Sequence, residues 1–375
     1  MNSNPRKIVL ILGNGFDLDL GLKTSYKDFW ASEFCPKDYP APLIKHLNQK
    51  WKKGNAEVRW YDLENELLSY YTSHSGPDGV HTYPDVVSAD LLKYIRSFDA
   101  YRYSCESFSG VDEQMERLVR LGYAEYGRTK QWAQIKYLDD FKQSTLWRDH
   151  KSFCMIKNGL CKYLSSLDHA HFDNVSTASH LLLALSKSAE AGDSIEIFTF
   201  NYTPVLFRGH SLKGISVHHM HGSCEDGNII IGTRDDLQME KGYDFLMKSM
   251  DDSFNPPDIV TSLKEADEVI IFGHSLGEND RQYFAPFFLK QADVNNPDRN
   301  DITIFTYDDN AKLEIKRALL SMTNGNLAAL YSINQPRIIR TNNIKEDNKL
   351  MYNFLINHHT DEHYAEEVVG KLSLH

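Results

Sequence analysis

The sequence lacks several features that would each point to a particular class of protein. It has no excess of positive charge, since 41 Lys and Arg stand against 52 Asp and Glu, for a formal net charge of −11. An acidic chain repels phosphate backbones and anionic lipid, so we expect neither nucleic acid nor a membrane surface as the main partner. No apolar run approaches the roughly 18 residues that span a bilayer.

Paired cysteines are also missing. The five cysteines are irregularly spaced and form no C-x-x-C pair, namely Cys35, Cys105, Cys154, Cys161 and Cys224. This pattern indicates neither a zinc site nor a disulfide framework. The N-terminal apolar run ends in Gly-Asn-Gly rather than in a signal-peptide cleavage site, and we interpret it as a buried strand. We therefore expect a cytoplasmic protein without a bound metal.

Short β-rich runs alternate with helical patterns along much of the chain. Residues 8–12 are apolar throughout, which is typical of a central parallel strand buried on both faces. Further strands are predicted at 194–200, 215–220, 228–231, 268–272 and 301–306, and helices at 16–34, 177–191, 240–250, 278–290 and 310–321. This alternation predicts an α/β protein with a Rossmann-like parallel sheet and helices on both faces.

A long helical block interrupts the alternation after the first strand. From Trp60 to about Leu167, apolar residues recur at three- and four-residue steps, whereas 37–55 is rich in Pro, Lys and Asn and suggests a loop with one short helix. We predict three parts: a nucleotide-binding α/β domain of residues 1–35 and 168–345, a large all-helical insertion at 36–167, and a C-terminal helix and polar tail at 346–375.

Gly13, Asn14 and Gly15 directly follow the first predicted strand. A glycine pair there allows a sharp turn, and it lets N–H groups from Gly13 to Phe16 approach a pyrophosphate at a helix N-terminus. Leu18 stands where G-x-G-x-x-G needs a third small residue, so an ordinary hydride-transfer site is not expected. A tight turn without a ligand is the alternative.

Two polar residues end later predicted strands. Asn201 closes FTFN, and its amide can bind a ribose hydroxyl or a water, or else cap a helix that begins near Thr203. In VHHMHGS, His221 precedes Gly222 at a strand end, where an imidazole can serve as a general base. A structural histidine is the alternative reading of His221.

The segment from Gly273 to Gly277, GHSLG, matches the G-x-S-x-G nucleophile elbow of α/β-hydrolases. A downstream acid and histidine are available in the required order, with the acids Asp308 and Asp309 and the histidines His358, His359 and His363. In the alternative, this turn and the helix after it hold part of a dinucleotide through Ser275 and backbone N–H groups.

Five motifs resemble, in order along the chain, the bacterial abortive-infection AbiH family. They are GNGFDLDLGLKTSYKDF from Gly13, WYDLE from Trp60, FTFNYT from Phe198, MHGS from Met220 and FGHSLGENDRQYF from Phe272. AbiH-type proteins are in turn similar to the sirtuin-like NAD-binding superfamily. In that superfamily a Gly-x-Gly loop, a strand ending in Asn, a strand ending in His-Gly and a Gly-x-Ser turn form the cofactor pocket.

The resemblance implies a sirtuin-type sheet, an anti-phage function and NAD as the ligand, hydrolysed to nicotinamide and ADP-ribose. It gives Asn201 and His221 as catalytic residues. The implied cofactor-binding residues are Gly13, Asn14, Gly15, Phe16, Asp17, Asn201, Gly222, Gly273, Ser275, Leu276 and Asp280. Of these, Ser275 would bind the adenosine half, and Asp280 would contact a ribose. Acyl-lysine deacylation is not expected, because the zinc-binding cysteine quartet is missing.

Other readings stay open. A nucleotide sensor without turnover is one alternative to an NAD glycohydrolase, and a serine hydrolase that uses GHSLG is another. Asp17, Asp28 and Glu64 are further acidic candidates for the nicotinamide end of the site. Because unchecked NAD hydrolysis would harm the host, we expect control through the insertion, with a phage-derived trigger protein and a homo-oligomer as partners.

Overall fold

The computed structural model describes residues 5–54, 63–74, 145–169, 175–206, 213–235 and 243–373. The chain divides into two units. The first, the α/β unit, comprises Met1–Ser25, Leu164–Ile229 and Ser253–His375. The second, the helical unit, comprises Tyr26–Tyr163 and Ile230–Asp252. Much of the predicted helical insertion, including Trp60–Asp62 of WYDLE, lies outside the described residues.

The described strands form one parallel sheet. They are β1 (Lys7–Leu12), β2 (Ser194–Thr199), β3 (Ile215–His219), β4 (Glu268–Phe272), β5 (Asp301–Thr306) and β6 (Arg337–Arg340). Their spatial order is β3-β2-β1-β4-β5-β6, and every neighbouring pair is parallel. At the centre, Ile11 of β1 is in register with Phe198 of β2 and Ile271 of β4.

Helices account for most of the remaining regular structure. In chain order the described α-helices are α1 (Asn14–Asp19), α2 (Tyr26–Ala31), α3 (Pro42–Gly54), α4 (Leu63–His74), α5 (Thr145–Ser166), α6 (Thr177–Glu190), α7 (Ile259–Glu265), α8 (Arg281–Gln291), α9 (Asp309–Met322), α10 (Leu327–Ile333), α11 (Ile344–Asn357) and α12 (Glu362–Leu372). Short 3₁₀ helices lie at Asp244–Leu246, Lys248–Met250 and Glu278–Asp280.

The central strands are buried on both faces, as their continuous apolar runs predict. Leu10 and Leu12 of β1 face a core formed with α6, α11 and α12. Val9 and Ile11 point to the opposite face and pack in a core formed with α7, α8 and α9. Because side chains alternate along a strand, each residue of the run enters one of the two cores. The predicted α/β architecture with helices on both faces is confirmed.

A buried carboxylate ties the helical unit together. Asp149 of α5 is fully buried and accepts hydrogen bonds from the Leu43 amide (2.9 Å) and from the hydroxyls of Tyr70 (2.5 Å) and Tyr243 (3.1 Å). A carboxylate removed from water is stable when its lone pairs are satisfied in this way. The donors lie far apart in the chain, so this bond set joins the segment around Tyr243 to α3, α4 and α5.

Several segments differ from the sequence prediction. The predicted helix at 16–34 is divided into α1 and α2, with Gly21 in the left-handed region (φ +85°) after α1. Residues 37–55, interpreted as a loop with one short helix, are mostly helical, because α3 has 13 residues. The polar tail after Asp361 forms α12, which is capped by the Asp361 side chain and buries Ala365 and Val368. An amphipathic face, rather than overall polarity, decides whether such a segment packs.

Strand predictions also failed at two places. The predicted strand at 228–231 is not paired, although Ile229, Ile230 and Ile231 are buried. The missed strand β6 is four residues long and carries Arg at both ends, so it has little apolar pattern. In the predicted helix at 240–250, the described residues 243–250 form two 3₁₀ helices, because Leu246 and Lys248 bond to the backbone of Thr233 instead.

Leu10→Ala tests the two-sided core. Leu10 is fully buried in the central strand, so we expect a loss of about 2–5 kcal/mol in the free energy of unfolding. The matched control is Leu313→Ala on α9, where the side chain is 47% exposed and the expected change is within about 0.5 kcal/mol. Urea unfolding measures both, and equal losses would contradict the assigned burial.

Candidate functional site

The strand order creates a crevice at one edge of the sheet. The chain runs from β1 outward through β2 to β3, and then returns to the other side of β1 with β4. In open α/β sheets, ligands bind beyond the carboxyl ends of the strands where the order reverses in this way. Here that point lies between β1 and β4, and the segments that border it begin at Gly13 and Gly273.

The two border segments contact each other backbone to backbone. The amide of Gly13 donates to the Phe272 carbonyl, and that of Gly15 donates to the Gly273 carbonyl, both at 3.0 Å. A Cβ added at Gly13 would lie 2.5 Å from the His274 Cα, and one at Gly15 would lie 2.7 Å from the Gly273 Cα. Glycine is therefore required at 13 and 15 by this contact, with or without a ligand.

This backbone contact reduces the number of N–H groups that the glycine loop has available to bind a phosphate. Gly13 and Gly15 use their N–H groups in the contact between the segments, and the Phe16 amide donates to the Gly13 carbonyl at 2.9 Å. The Phe16 ring is buried and packs edge-on against Phe272 at 5.5 Å. Cofactor binding by these residues stays a prediction, and three of the N–H groups invoked for it have partners within the chain.

Asp17, Asn201 and Thr203 form a buried polar cluster beside this contact. The Asn201 amide nitrogen donates to the Asp17 Oδ1 (3.0 Å) and to the Gly13 carbonyl (3.1 Å). The Thr203 hydroxyl donates to the Asp17 Oδ2 at 2.5 Å. Both amide hydrogens of Asn201 are therefore used inside the protein, and its Oδ1 is the group left to meet a ligand.

Burial gives Asp17 an unusual acidity. Its side chain is 4% exposed, and desolvation raises the pKa to about 7, while the hydrogen bonds from Thr203 and Asn201 act in the opposite direction. Desolvation dominates because a carboxylate is far better solvated by water than by two donors. A carboxyl group that titrates near neutral pH is suited to proton transfer, and such groups concentrate at functional sites.

A second cluster joins the ends of β3 and β4. Asp280, in the 3₁₀ helix after β4, places Oδ1 3.5 Å from the His221 Nε2 and Oδ2 3.5 Å from the His274 Nε2. The ring of Phe200 packs edge-on against both imidazoles, with centroids 5.3 Å from His221 and 4.4 Å from His274. One carboxylate is thus bracketed by two buried histidines.

His274 is the site residue that the sequence analysis missed. It directly follows Gly273 after the end of β4, a position that points to the crevice. The G-x-S-x-G pattern instead suggested Ser275 as the functional residue of this turn. The His274 Nδ1 accepts a hydrogen bond from the Leu276 amide at 3.0 Å. Leu276 is held in the left-handed region (φ 53°), an uncommon conformation for a branched residue, and its side chain is buried.

Ser275 is exposed, and two of its predicted partners lie elsewhere. The His358 Nε2 is 3.4 Å from Glu268, the first residue of β4, and His359 lies 3.9 Å from Asp193, which precedes β2. At about 3.3 Å per residue, β4 separates Glu268 from the carboxyl edge by about 13 Å. His358 and His359 therefore cannot complete a triad with Ser275.

The predicted acids have different surroundings. Asp308 caps α9 by accepting from the Ala311 amide (2.8 Å), and Asp309 pairs with Arg340 (2.8 Å). Glu64, in the helical unit, pairs with the Lys248 ammonium at 3.1 Å, and Asp28 lies in the first turn of α2 in the same unit. Glu64 thus has a partner within its own unit.

Most predicted site residues meet at the carboxyl edge of the α/β unit. Gly13 contacts Asn201 and the segment at Gly273, and that segment leads through His274 and Asp280 to His221. Gly222 (φ +72°) turns the chain after His221, where an added Cβ would lie 2.2 Å from the Asn228 carbonyl oxygen. In the described part of the chain, no group of three or more His, Cys, Asp or Glu residues has a metal-binding arrangement.

These features define a Rossmann-type α/β protein with a candidate ligand crevice at its topological switch point. Comparison with known families makes the identification more specific. The chain matches the family model described as "Bacteriophage abortive infection AbiH" over residues 9–297, a range that contains both clusters. It belongs to the AbiH family, which indicates a function in abortive infection by phage. Kinship with sirtuin-like proteins stays a prediction.

Two further comparisons add no relative, since neither the curated proteins nor the solved structures yield a match. Among the helices of the described residues, none combines the length and the apolar character needed to cross a membrane.

Asp17→Asn tests the buried carboxyl. The folded state keeps the Asp17 proton up to about pH 7, whereas the unfolded chain releases it near pH 4, so the wild type loses stability as pH rises through this window. The amide introduced by the substitution can still accept from Asn201 and donate to Thr203. Between pH 5 and 8 we expect the wild type to lose about 2–3 kcal/mol relative to Asp17→Asn.

Urea unfolding at the two pH values measures this difference. The control is Asp252→Asn, which removes an exposed carboxylate and should follow the pH dependence of the wild type. Parallel pH dependences for the wild type and Asp17→Asn would show that Asp17 is ionised at pH 5 in the folded protein.

Proposed function

We propose that the protein acts in abortive infection by binding NAD in the crevice and hydrolysing it to nicotinamide and ADP-ribose. One observation carries the proposal: Gly13, Asn201, His221 and the turn from Gly273 to Asp280 meet at the carboxyl edge of one parallel sheet, at the switch point of the strand order. Dinucleotides bind at this place in proteins with this strand order.

In this reaction the protein mainly orients the reacting groups and need not form a covalent bond with NAD. The bond between the ribose C1′ and the nicotinamide nitrogen breaks, its electron pair neutralises the cationic ring, and a water oxygen bonds to C1′. The water loses one proton in this step. Because the transition state resembles an oxocarbenium ion, the site has to orient the ribose, deliver water and stabilise positive charge.

The two clusters suit these tasks. We assign the water proton to His221, a buried imidazole at the end of β3. The Asn201 Oδ1 would accept a hydrogen bond from a ribose hydroxyl or from the water, since its amide hydrogens are already used. When ionised, the Asp17 carboxylate behind Asn201 would stabilise the developing positive charge. The pKa of about 7 at Asp17 makes this contribution grow as pH rises through neutrality.

Phosphate binding is assigned to one of the N–H groups expected at first. The N–H groups of Gly13, Gly15 and Phe16 donate within the chain. We therefore assign the pyrophosphate to the Asn14 N–H and the adenosine half to the exposed hydroxyl of Ser275. The glycines keep a different role, since they allow the two border segments to approach each other.

His221→Ala and Asn201→Ala test the catalytic assignment. We expect nicotinamide release to fall about 10²- to 10⁴-fold in His221→Ala, because the proton acceptor is lost. His218→Ala is the matched control: His218 lies on β3 and stacks on Phe198 (5.1 Å), so wild-type rates are expected. Thermal unfolding of each variant checks the fold, since Asn201→Ala also removes two buried hydrogen bonds.

Calorimetry with NAD and ADP-ribose separates the competing functions. We expect the wild type and His221→Ala to bind ADP-ribose with similar affinity, because the loss is in chemistry. Binding of NAD without nicotinamide release would contradict hydrolysis and favour a nucleotide sensor. Stoichiometric labelling of Ser275 by a fluorophosphonate would favour a serine hydrolase instead.

A further inference from the structure

We infer that Asp280 positions His221 and that His274 in turn positions Asp280, so that the three form a chain from the end of β4 to the end of β3. This inference rests on the proposed NAD hydrolysis and deepens it. It gives Asp280 a role different from the ribose contact implied by the family resemblance, and it gives His274 its first role.

The distances support a chain rather than two separate pairs. Asp280 uses different oxygens for the two imidazoles, Oδ1 toward His221 and Oδ2 toward His274, each 3.5 Å from the ring Nε2. A carboxylate can accept from two donors at once. At 3.5 Å both contacts are longer than an ordinary N–H···O hydrogen bond of about 2.7–3.2 Å, and the His221 Nε2 makes no hydrogen bond with the described residues. Catalytic hydrogen bonds are often long in unliganded sites and tighten when substrate binds.

The backbone determines the tautomer of His274. Its Nδ1 accepts from the Leu276 amide at 3.0 Å, so Nδ1 carries no proton and neutral His274 must carry its proton on Nε2. That nitrogen is the one that faces Asp280. His274 therefore presents a donor to the carboxylate at every pH at which this backbone bond persists.

Aromatic packing restricts both imidazoles. Phe200 touches both imidazoles, and the fully buried Phe284 packs edge-on against His274 at 5.1 Å. The titratable groups assigned to this cluster are His221, His274 and Asp280. Asp17 belongs to the other cluster, where it accepts a hydrogen bond from Asn201, the residue after Phe200. With the rings held in place, Asp280 can orient the His221 imidazole and stabilise it once it has accepted the water proton.

Asp280→Asn separates the two roles of Asp280. If Asp280 positions His221, we expect kcat for nicotinamide release to fall about 10- to 100-fold with KM within about threefold. If Asp280 instead contacts the ribose in the ground state, KM for NAD rises while kcat changes little. The second result would overturn the inference and leave NAD hydrolysis intact.

Two variants of His274 separate positioning from a structural role. His274→Asn keeps an acceptor near the Leu276 amide but is too short to reach Asp280, whereas His274→Gln can extend a donor toward Asp280. We expect kcat to fall about 10-fold or more in His274→Asn, with partial recovery in His274→Gln. The reverse order would show that His274 acts through Leu276 alone and would overturn the inference.

Nitrogen-15 NMR of the histidine rings tests the arrangement of His274, Asp280 and His221 without relying on activity. We expect His274 to carry its proton on Nε2 in the wild type, and the His221 ring resonances to shift in both Asp280→Asn and His274→Asn. His221 resonances that stay unchanged in both variants would overturn the inference. If NMR shows the expected His274 tautomer and His221 shifts but the wild type releases no nicotinamide, the proposed function fails and the positioning of His221 stands.

Discussion

The site depends on the close approach of two backbone segments, those that follow β1 and β4. Gly13 and Gly15 bond to the Phe272 and Gly273 carbonyls, and side chains at either glycine would overlap the facing backbone. This contact holds the edges of the crevice together. It places the Gly13 carbonyl where Asn201 can donate to it and directs the chain after Gly273 through His274 toward Asp280.

The two edges of the sheet use titratable residues in different ways. At the amino edge, Arg6 pairs with Asp193 (2.7 Å) and Glu268 (3.1 Å). The His358 Nε2 also lies near Glu268, at 3.4 Å. Burial acts to raise the pKa of Glu268, but the interactions with His358, Arg6 and Arg337 outweigh burial and hold this pKa below its usual range. At the carboxyl edge, the donors to Asp17 in the described part of the chain are the neutral Asn201 and Thr203, and burial raises the pKa of Asp17 to about 7. A network of ion pairs stabilises the fold, whereas a carboxyl that titrates near neutrality can exchange a proton.

Much of the fold could be predicted from the sequence, since β4 and β5 begin and end at the predicted residues. Apolar runs buried on both faces leave a pattern that does not depend on neighbours. Predictions failed where pairing decided the outcome: the buried isoleucines after Asn228 form no strand, and the segment near Leu246 bonds to Thr233 instead of forming one helix. In the site, Asn201 and His221 could be found because each follows a strand, but His274 was overlooked beside Ser275.

The sequence by itself determined which strands are central, which residues follow them and to which family the motifs belong, because these depend on local pattern and residue type. The tertiary structure alone decided how those residues are used. It directed an Asn201 amide hydrogen to Asp17, separated Ser275 from His358 by the length of a strand, and brought Asp280 between two histidines. Hydrogen-bond partners and desolvation depend on which strand ends become neighbours, and strand order is not encoded in any single segment.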